Sequence, residues 1–337
     1  MSATAAPKSK FFENYGALLA LLVLLVGGMI WQPQIFLQPE GIRNLFNQNA
    51  STGIVAIGMT LVIIAGGIDL SVGALMALTA AIALKVIESS VGRGMSETAS
   101  VSVAVLAALG AGLALGLVNG VLVTVGRIAP FIATLAGLVG YRSICLAMAD
   151  GGEVRSLSNN VFPGIGQGGI PIPFVQNSRG IPVQITWGIL LFLGIAAVAH
   201  FLLTRTRFGR HLIAVGANER AARYSAIATN QVKLYSYGIL GFLTAIAALV
   251  AGSRMNSVSS SQLGLYAELD AIAAVVIGGT SMNGGKGKVW GTVIGVLILG
   301  IINTLLISSG VSTYWQGLVK GAIILLAVLI QRGQTDR

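Results

Sequence analysis

The chain has very few charged side chains. Only 9% of its 337 residues are Asp, Glu, Lys or Arg, whereas 55% are hydrophobic. A soluble domain carries roughly 25% charged residues, so this composition cannot provide a water-exposed surface for a globule of this size. Runs of about 18 or more apolar residues recur, and each is long enough to cross a bilayer as a helix. The sequence therefore predicts an all-α, polytopic integral membrane protein.

Cysteine and histidine are nearly absent, which limits catalysis. Cys145 is the single cysteine, so no disulfide can form within the chain. His200 ends an apolar run and His211 lies among arginines, and neither belongs to a zinc-protease, Ser-hydrolase or Cys–His pattern. The stretch that ends at Lys286 lacks the Gly and the Ser or Thr that a phosphate-binding loop requires. We expect no catalytic residue, metal site or cofactor in this chain.

Acidic residues are also scarce: 11 against 21 Lys and Arg, for a net charge of +10. No basic surface interleaved with aromatic residues is present, so nucleic-acid binding is not expected. In a membrane protein, Lys and Arg mark cytoplasmic loops. If both termini are cytoplasmic, most of the basic residues fall on the inner side, and many of them lie in residues 204–233. This segment is predicted to be a cytoplasmic loop.

Polar residues divide the apolar sequence into about ten predicted spans. These are 16–31, 45–66, 70–88, 99–124, 130–149, 185–203, 234–252, 268–281, 289–308 and 313–330. The first span resembles a signal peptide but lacks a cleavage site, so it is interpreted as uncleaved, with a signal peptide as the alternative. All spans form one predicted transmembrane domain over residues 1–337. The long outer loop, 150–184, is rich in Gly and Pro and predicts extended pieces that dock an outside partner, with a disordered linker as the alternative.

Two stretches pass through Gly-Gly and a polar bend before a helix restarts: VIIAGGIDLSVGAL (62–75) and VVIGGTSMNGGKGKVWGTVIG (275–295). Backbone breaks inside membranes persist only where protein or a water-filled cavity surrounds them. The bends are interpreted either as hairpins in which Asp69 or Ser71 caps the new helix, or as elements that line or gate a pathway. For Asp69, capping alone is the favoured role.

A few polar residues fall within the predicted spans. Lys320 lies inside the last span, where an unpaired charge is costly. We expect it to pair with Asp270 or Glu268, in a structural or a gating role. Asn119, Thr134 and Asn303 are predicted to bond between helices, and Asn119 and Asn303 are also candidates for a pathway.

The segment GANERAARYSAIATNQVK (216–233) predicts a short polar helix between two long apolar runs. Asn218 is a suitable N-cap, and Glu219 suits the positive end of the helix dipole. Ala221, Ala222 and Ser225 are expected to form a small, smooth face, and Ile227 lies near the end of the helix. The helix is interpreted either as a solvated connection or as a coupling helix that a cytoplasmic motor protein moves.

Several long motifs resemble the permease subunits of ABC-type sugar importers, most closely the ribose class. They are GMTLVIIAGGIDLSVGALMALTAA (58–81), PFIATL (130–135), GANERAARYSAI (216–227), ELDAIAAVVIGGTS (268–281) and GVSTYWQGLVKGAIILLAVLI (310–330). The resemblance implies a ten-span fold and a polar helix that docks on a separate ATPase subunit. It assigns Gly216, Asn218, Ala222, Ser225 and Ile227 to the docking motif.

The resemblance has two departures and leaves the substrate open. Ala226 stands where the family usually has Gly, which puts the end of the docking helix in doubt, and Ser143 replaces a Gly after Arg142. The family includes permeases for ribose, xylose, arabinose, galactose and related solutes, so its motifs do not name one sugar.

The function expected from these observations is permease of an ATP-driven importer for a small sugar, with ribose as the best match. The expected location is a bacterial inner membrane. The expected partners are an ABC ATPase that binds the ATP, an extracytoplasmic solute-binding protein, a second permease copy and membrane lipid. The alternative is an ion-coupled transporter that uses Asp69, Glu268, Asp270 and Lys320 as a relay. An intramembrane enzyme ranks last.

Overall fold

The structure is a computed structural model that describes residues 10–156, 159–177, 180–312, 314–323 and 325. Among these residues, seven helices are long and apolar enough to cross a membrane. They are α3 (Pro39–Ile64), α4 (Val72–Gly92), α5 (Glu97–Thr124), α6 (Pro130–Met148), α8 (Trp187–Arg205), α11 (Thr229–Met255) and α13 (Val289–Ser308). The chain is a mostly helical, multi-pass membrane protein, as the apolar runs predict.

Six other helices connect or flank these seven. They are α1 (Lys10–Trp31), α2 (Pro33–Phe36), α7 (Pro163–Gln167), α9 (Arg207–Ala217), α10 (Glu219–Tyr224) and α12 (Ala267–Ile277). Residues 314–323 are also helical. With 11 residues, α12 is about 16 Å long, which is roughly half of the hydrocarbon thickness of a bilayer.

Most of the predicted spans correspond to helices of the expected position. The predicted spans at 16–31 and 268–281 correspond to α1 and to the short helix α12. The last one, 313–330, is helical over residues 314–323, and residues 326–330 lie outside the described part of the chain. The two predicted Gly-rich breaks are present: the first link (residues 65–71) joins α3 to α4, and the second link (residues 278–288) joins α12 to α13.

The described residues are mostly helical, as the all-α class predicts, and they also include four short strands. Strands β1 (Glu153–Arg155) and β4 (Ser257–Ser259) pair antiparallel, as do β2 (Gly169–Gln176) and β3 (Pro182–Thr186). Strands β1 and β2 lie in the predicted outer loop, and β3 begins in it. Its Pro residues disfavour helix because they lack an N–H donor and restrict the residue before them. The extended pieces expected there are confirmed.

Helices α3, α4 and α11 form the centre of the molecule and are its most buried long helices. Glycine allows α5 to lie directly against α11. A Cβ atom at Gly112 would lie 2.6 Å from the carbonyl oxygen of Gly241, and one at Gly116 would lie 2.5 Å from that of Tyr237. Such close contact between backbones is typical of small-xxx-small packing in membranes. This packing accounts for part of the high glycine content.

Candidate functional site

The helix predicted in residues 216–233 is shorter in the structure: α10 covers only Glu219–Tyr224, with the end of α9 before it and the start of α11 after it. The side chain of Asn218 accepts a hydrogen bond of 3.0 Å from the backbone N–H of Ala221. It thereby caps α10 as predicted, and Glu219 occupies the first turn. A capped helix of six residues is marginal by itself, so its position depends on the contacts that it makes with the spans.

The C-terminal end of α10 is a Schellman motif. The N–H of Ala226 donates to the carbonyl of Arg223, and the N–H of Ile227 donates to that of Ala222, both at 3.1 Å. The motif needs a left-handed residue at the position of Ala226, and Ala226 has φ of 60°. The glycine usual in the family would adopt this conformation without a steric cost. In this chain an alanine adopts the left-handed conformation instead.

The second departure from the family pattern is harmless. Ser143 is exposed on α6, and its hydroxyl donates to the carbonyl of Val139 one turn earlier, at 2.8 Å.

Glu219 ties α10 to the start of α11. Its carboxylate accepts hydrogen bonds from Lys233 and, at 3.3 Å, from Arg223. The hydrogen bond from Lys233 is the main cause that holds the pKa of Glu219 below its ordinary value, although partial burial opposes the shift. The polar segment is therefore anchored to the first turn of a spanning helix.

The predicted docking residues differ in accessibility. Asn218 and Ser225 are exposed, and Glu219 is partly exposed, whereas Gly216 and Ile227 are half-buried. Ala222 is only 5% exposed and packs in the main hydrophobic core. Ala221, Ala222 and Ser225 therefore do not form one accessible face, because Ala222 points into the protein.

Sequence reasoning missed the most exposed large side chain of this segment. Tyr224 is 92% exposed, and Arg220 and Arg223 are exposed beside it. The helical period gives the signal for it: Tyr224 lies two residues from the buried Ala222, which places it on the opposite side of α10. Tyr and Arg are enriched at protein interfaces, so this side of α10 is the better candidate for contact with a partner.

Glycines from three separate parts of the chain meet at the end of α9. We call this cluster the glycine junction; it consists of Gly66 in the first link, Gly216 at the end of α9, and Gly284 and Gly285 in the second link. A Cβ atom at Gly216 would lie 1.7 Å from the carbonyl oxygen of Ile64, and one at Gly284 would lie 2.9 Å from the carbonyl oxygen of Gly216. The N–H of Gly285 donates to the carbonyl of Ile64 at 2.9 Å.

The glycine junction joins the polar segment to both Gly-rich links. A Cβ atom at Gly285 would lie 2.7 Å from Cα of Ala217, so the second link rests on the last turn of α9. Gly284 and Gly285 both have positive φ, 83° and 71°. Because these contacts are backbone against backbone, a displacement of α9 cannot be absorbed by a change of side-chain rotamer. It must move one or both links.

Asp69 forms a buried polar network in the first link. Its Oδ1 accepts hydrogen bonds from the backbone N–H and the hydroxyl of Ser71 at 2.7 and 2.6 Å. The amide of Asn119 on α5 donates to Asp69 Oδ2 at 3.1 Å and to the Ser71 hydroxyl at 2.8 Å. All three residues are no more than 1% exposed. The network holds the link against α5.

The prediction that capping of α4 is the only role of Asp69 is therefore wrong. Ser71 occupies the N-cap position, but its side chain accepts no hydrogen bond from the first turn of the helix. Asp69 instead accepts from the N-cap residue itself and from another helix. The expected interhelical role of Asn119 is confirmed.

Two tyrosines complete the network and were not predicted. The hydroxyl of Tyr141 on α6 donates to Asn119 Oδ1 at 2.8 Å. The hydroxyl of Tyr237 on α11 donates to the carbonyl of Ile68 at 3.0 Å. A buried Tyr normally forms a hydrogen bond through its hydroxyl. A Tyr within an apolar span therefore predicts a hydrogen bond, but the sequence does not identify the partner.

Charged residues gather around the start of α12. Lys320 Nζ lies 3.1 Å from Asp270 Oδ2, which confirms the expected ion pair and selects Asp270 over Glu268. Glu268 is 9% exposed, and its Oε2 would lie 2.6 Å from a Cβ atom at Gly73. Arg142 donates to the carbonyls of Ser260 and Leu263 at 2.8 and 2.9 Å. The contact of Arg142 was not predicted.

The remaining mid-span candidates are less informative. Thr134 is buried, but its hydroxyl donates to the carbonyl of Pro130 in its own helix at 2.8 Å. It does not join two helices through this bond. Asn303 lies half-buried on α13. Its predicted role in a pathway stays a prediction.

Residues 41–328 match a family profile described as the permease component of the branched-chain amino acid transport system. The chain belongs to this permease family. The match covers the glycine junction, the buried network of the first link and the polar segment of this permease. No solved structure matches the chain.

Several relatives of the permease carry the names of sugar transporters. It is 41% identical to the ribose import permease protein RbsC of Bacillus subtilis, over 95% of this chain and 93% of the relative. It is also 41% identical to the RbsC protein of Escherichia coli K12, over 93% and 92%. The xylose transport system permease protein XylH of Haemophilus influenzae is 33% identical, over 96% and 97%. The resemblance inferred from the motifs is confirmed at the level of the family.

Proposed function

We propose that this permease is the translocation subunit of an ATP-driven importer for a monosaccharide, ribose or a related sugar, in a bacterial inner membrane. The observation that carries the proposal is the glycine junction. It gives an exposed polar segment direct backbone contact with both breaks in the spanning helices. The names of relatives at 33–41% identity over nearly the whole chain support a pentose as substrate.

Motion would reach the spans through α9 and α10. An ATPase subunit in the cytoplasm binds the exposed side of α10, around Tyr224, Arg220 and Ser225. Movement of α9 shifts Gly216, and the backbone contacts of the glycine junction transmit this shift to the first and second links. The links join α3 to α4 and α12 to α13, so these helices change between outward and inward access. The permease itself makes and breaks no covalent bond.

The other partners follow the same scheme. A solute-binding protein docks outside on the loop 150–184, where Phe174 at the β2–β3 hairpin is fully exposed and has φ of 66°. A second copy of the permease completes the pathway, ten spans cross the membrane, and both termini are cytoplasmic. The single domain over 1–337 then has 204–233 as its cytoplasmic coupling loop.

The rival function, ion-coupled transport, has less support. Its relay would need Asp69 and the charged group at α12 to exchange protons or ions. Asp69 is bonded to Ser71 and Asn119, whereas Asp270 is paired with Lys320. Among the described residues, no hydrogen bond joins Asp69 to the charged group at α12.

The decisive experiment is uptake into proteoliposomes that contain the permease, with its ATPase inside and its binding protein outside. We expect ribose uptake that requires ATP and both partners and is unaffected by collapse of proton and sodium gradients. Uptake driven by a gradient in vesicles without the ATPase would refute the proposal and favour the rival.

A second experiment tests the docking surface. We expect Tyr224→Asp combined with Arg220→Glu to abolish co-purification of the ATPase, because both side chains lie on the exposed side of α10. Lys85→Glu is the matched control: this residue is also exposed, but it lies on α4 and pairs there with Glu88. Retention of the ATPase by the double variant would place the docking surface elsewhere.

The substrate is identified with the binding protein. Titration of ribose, xylose, arabinose and galactose against it should give the tightest binding for one sugar, and the same sugar should be taken up fastest. Binding of branched-chain amino acids instead of sugars would overturn the proposed substrate class while leaving the coupling scheme intact.

A further inference from the structure

An apolar groove of about 450 Å³ runs along the outer surface of α8 and α11. Its floor includes Leu61 of α3, and its walls are formed by one stripe of α8 and one of α11. Leu191 and Val198 of α8 and Phe242 of α11 are partly to largely exposed in it. Gly194 also lines the groove, and a Cβ atom there would meet no heavy atom within 4 Å. The groove is therefore open to a ligand.

The two ends of the groove have the chemistry of membrane–water interfaces. Trp187 lines one end and is 44% exposed. At the other end, the α8 stripe reaches Leu202, and helical spacing continues it to Arg205, which is exposed. The α11 stripe begins at Ile239, and its continuation one turn earlier is Tyr235, 53% exposed. Trp and Tyr mark both interfaces, and Arg marks the inner one.

Positive charge collects at the end of the groove that carries Arg205. Helix α9 follows at once and adds exposed Arg207, Arg210 and His211. The sequence contains no Asp or Glu between Glu153 and Glu219. No acidic side chain of α8 or α9 thus competes for these arginines. Arginine suits phosphate because its planar guanidinium presents several donors at once.

We propose that the groove binds one anionic diacyl phospholipid of the inner leaflet, with an acyl chain along α8 and α11 and the phosphate at Arg205. The choice of the inner leaflet rests on the orientation in the proposed function. A second permease copy fits less well. Two copies related by an axis normal to the membrane would bring two basic clusters to the same depth, and like charges that face each other across an interface cost energy.

Native mass spectrometry of the full-length permease, released from nanodiscs of phosphatidylglycerol and phosphatidylethanolamine, tests the site. The wild type should retain one phosphatidylglycerol per chain. Gly194→Trp fills the groove without a backbone clash and should lower this occupancy at least tenfold. Gly110→Trp is the matched control, because Gly110 is also an open helical glycine, on α5, and should leave the occupancy unchanged.

A charge variant tests the position of the phosphate. Arg205→Gln should reduce the preference for phosphatidylglycerol over phosphatidylethanolamine about fivefold, the factor expected for one basic side chain near an anionic surface. Occupancy by phosphatidylethanolamine should stay the same. Equal loss of both lipids would contradict a phosphate contact at Arg205.

Two results would overturn the proposal. Equal phospholipid occupancy in Gly194→Trp and Gly110→Trp would show that the groove holds no lipid. A change of oligomeric state in Gly194→Trp alone, measured by light scattering of the detergent-solubilised variants and wild type, would assign the groove to a second copy. Neither result affects the proposed transport function, which is measured independently by ATP-dependent uptake.

Discussion

The two Gly-rich links have similar sequences but are held in place by different physical means. The first link is held by side chains: Asp69, Ser71 and Asn119 form one buried network, and Tyr237 binds the carbonyl of Ile68. The second link is held by its backbone, through the hydrogen bond from Gly285 to Ile64 and the close approach of Gly284 to Gly216.

This difference indicates how each link responds to substitution. In a buried hydrogen-bonded network, each polar group that a substitution leaves unpaired costs about 1–3 kcal/mol of stability. Backbone contact leaves no room for even one methyl group, so the smallest side chain is already too large. We therefore expect the second link and its neighbours to be sensitive to volume, and the first link to be sensitive to polarity.

Gly216→Ala tests the backbone contact and should have the largest effect. Its Cβ atom would lie 1.7 Å from the carbonyl oxygen of Ile64, so α9 or the first link must shift. We expect a loss of at least about 3 kcal/mol in stability, the upper range for overpacking, and loss of ATP-dependent uptake. Thermal unfolding in detergent and vesicle uptake measure the two effects.

Gly110→Ala is the control for Gly216→Ala, since a Cβ atom at Gly110 meets nothing within 4 Å. It should retain full uptake and gain slightly in stability, because Ala is favoured over Gly within a helix. If both variants behaved alike, the glycine junction would not be a rigid contact.

Asn119→Leu tests the polar side of the comparison. It removes one hydrogen bond each from Asp69, Ser71 and Tyr141, but each of them keeps another partner, so we expect about 1–3 kcal/mol of destabilisation in total. Tyr141→Phe should cost less in the Asn119→Leu background than in the wild type, because the shorter of the two hydrogen bonds of its hydroxyl is already lost. Denaturation of the four proteins of this double-mutant cycle measures the coupling.

Thr134→Val is the matched polar control, because Thr134 bonds only to the carbonyl of Pro130 in its own helix. We expect a smaller change than for Asn119→Leu. If both substitutions lowered the free energy of unfolding equally, the hydrogen bonds of Asn119 to other elements would contribute no more than a bond within one helix.

Ala226→Gly sharpens the comparison at a position where the backbone conformation favours glycine but the chain has alanine. Ala226 has φ of 60°, and a left-handed non-glycine residue costs roughly 1–2 kcal/mol. Glycine removes this cost in the folded protein, but its greater conformational freedom in the unfolded chain offsets part of the gain. We therefore expect a net stabilisation of about 0.5–1 kcal/mol. Ala221→Gly, on the exposed side of α10, should instead destabilise.

The ion pair between Lys320 and Asp270 should contribute less than either link. Its side chains are 31% and 26% exposed, and partly exposed pairs contribute about 0.2–1 kcal/mol. A double-mutant cycle with Lys320→Met and Asp270→Asn measures the coupling energy. Full uptake by both single variants would assign the pair a structural role; uptake lost without loss of stability would assign it a gating role.

The smallest expected effect is a pH dependence at Glu219, beside the glycine junction. The hydrogen bond from Lys233 lowers the pKa of Glu219 in the folded protein. A lowered pKa contributes stability above the pKa of the unfolded chain, about 4.3, and the contribution is lost as the pH falls through the folded value. The stability difference between wild type and Glu219→Gln should therefore shrink from pH 7 to pH 4. A stability difference that grew from pH 7 to pH 4 would contradict a lowered pKa of Glu219 in the folded protein.

Local features of the site were predictable from the sequence. The Asn218 cap follows from residue types at adjacent positions, and the two links follow from Gly-Gly between apolar runs. The pairing of Lys320 with α12 followed from the depth of both in the membrane. Each of these inferences uses only spacing along the chain and the cost of an unpaired charge in lipid.

Contacts between distant segments were not predictable in the same way. The inward position of Ala222, the bonds of Tyr141 and Tyr237 and the contact of Gly216 with Ile64 depend on how helices far apart in sequence pack together. A glycine in a membrane helix fits many neighbours equally well, so its presence does not identify one. The small face predicted for α10 was wrong because the sequence of α10 does not show that Ala222 packs against distant helices.

The sequence by itself determined the class of the protein, the approximate position of its spans, the two links and the family. Hydrophobic run length and backbone flexibility are properties of consecutive residues, and the family motifs are continuous stretches. Only the tertiary structure decided that both links and the end of α9 meet at one point, and which side chains hold the first link. Close packing selects such contacts through the shapes of whole helices, and no single stretch of sequence contains that information.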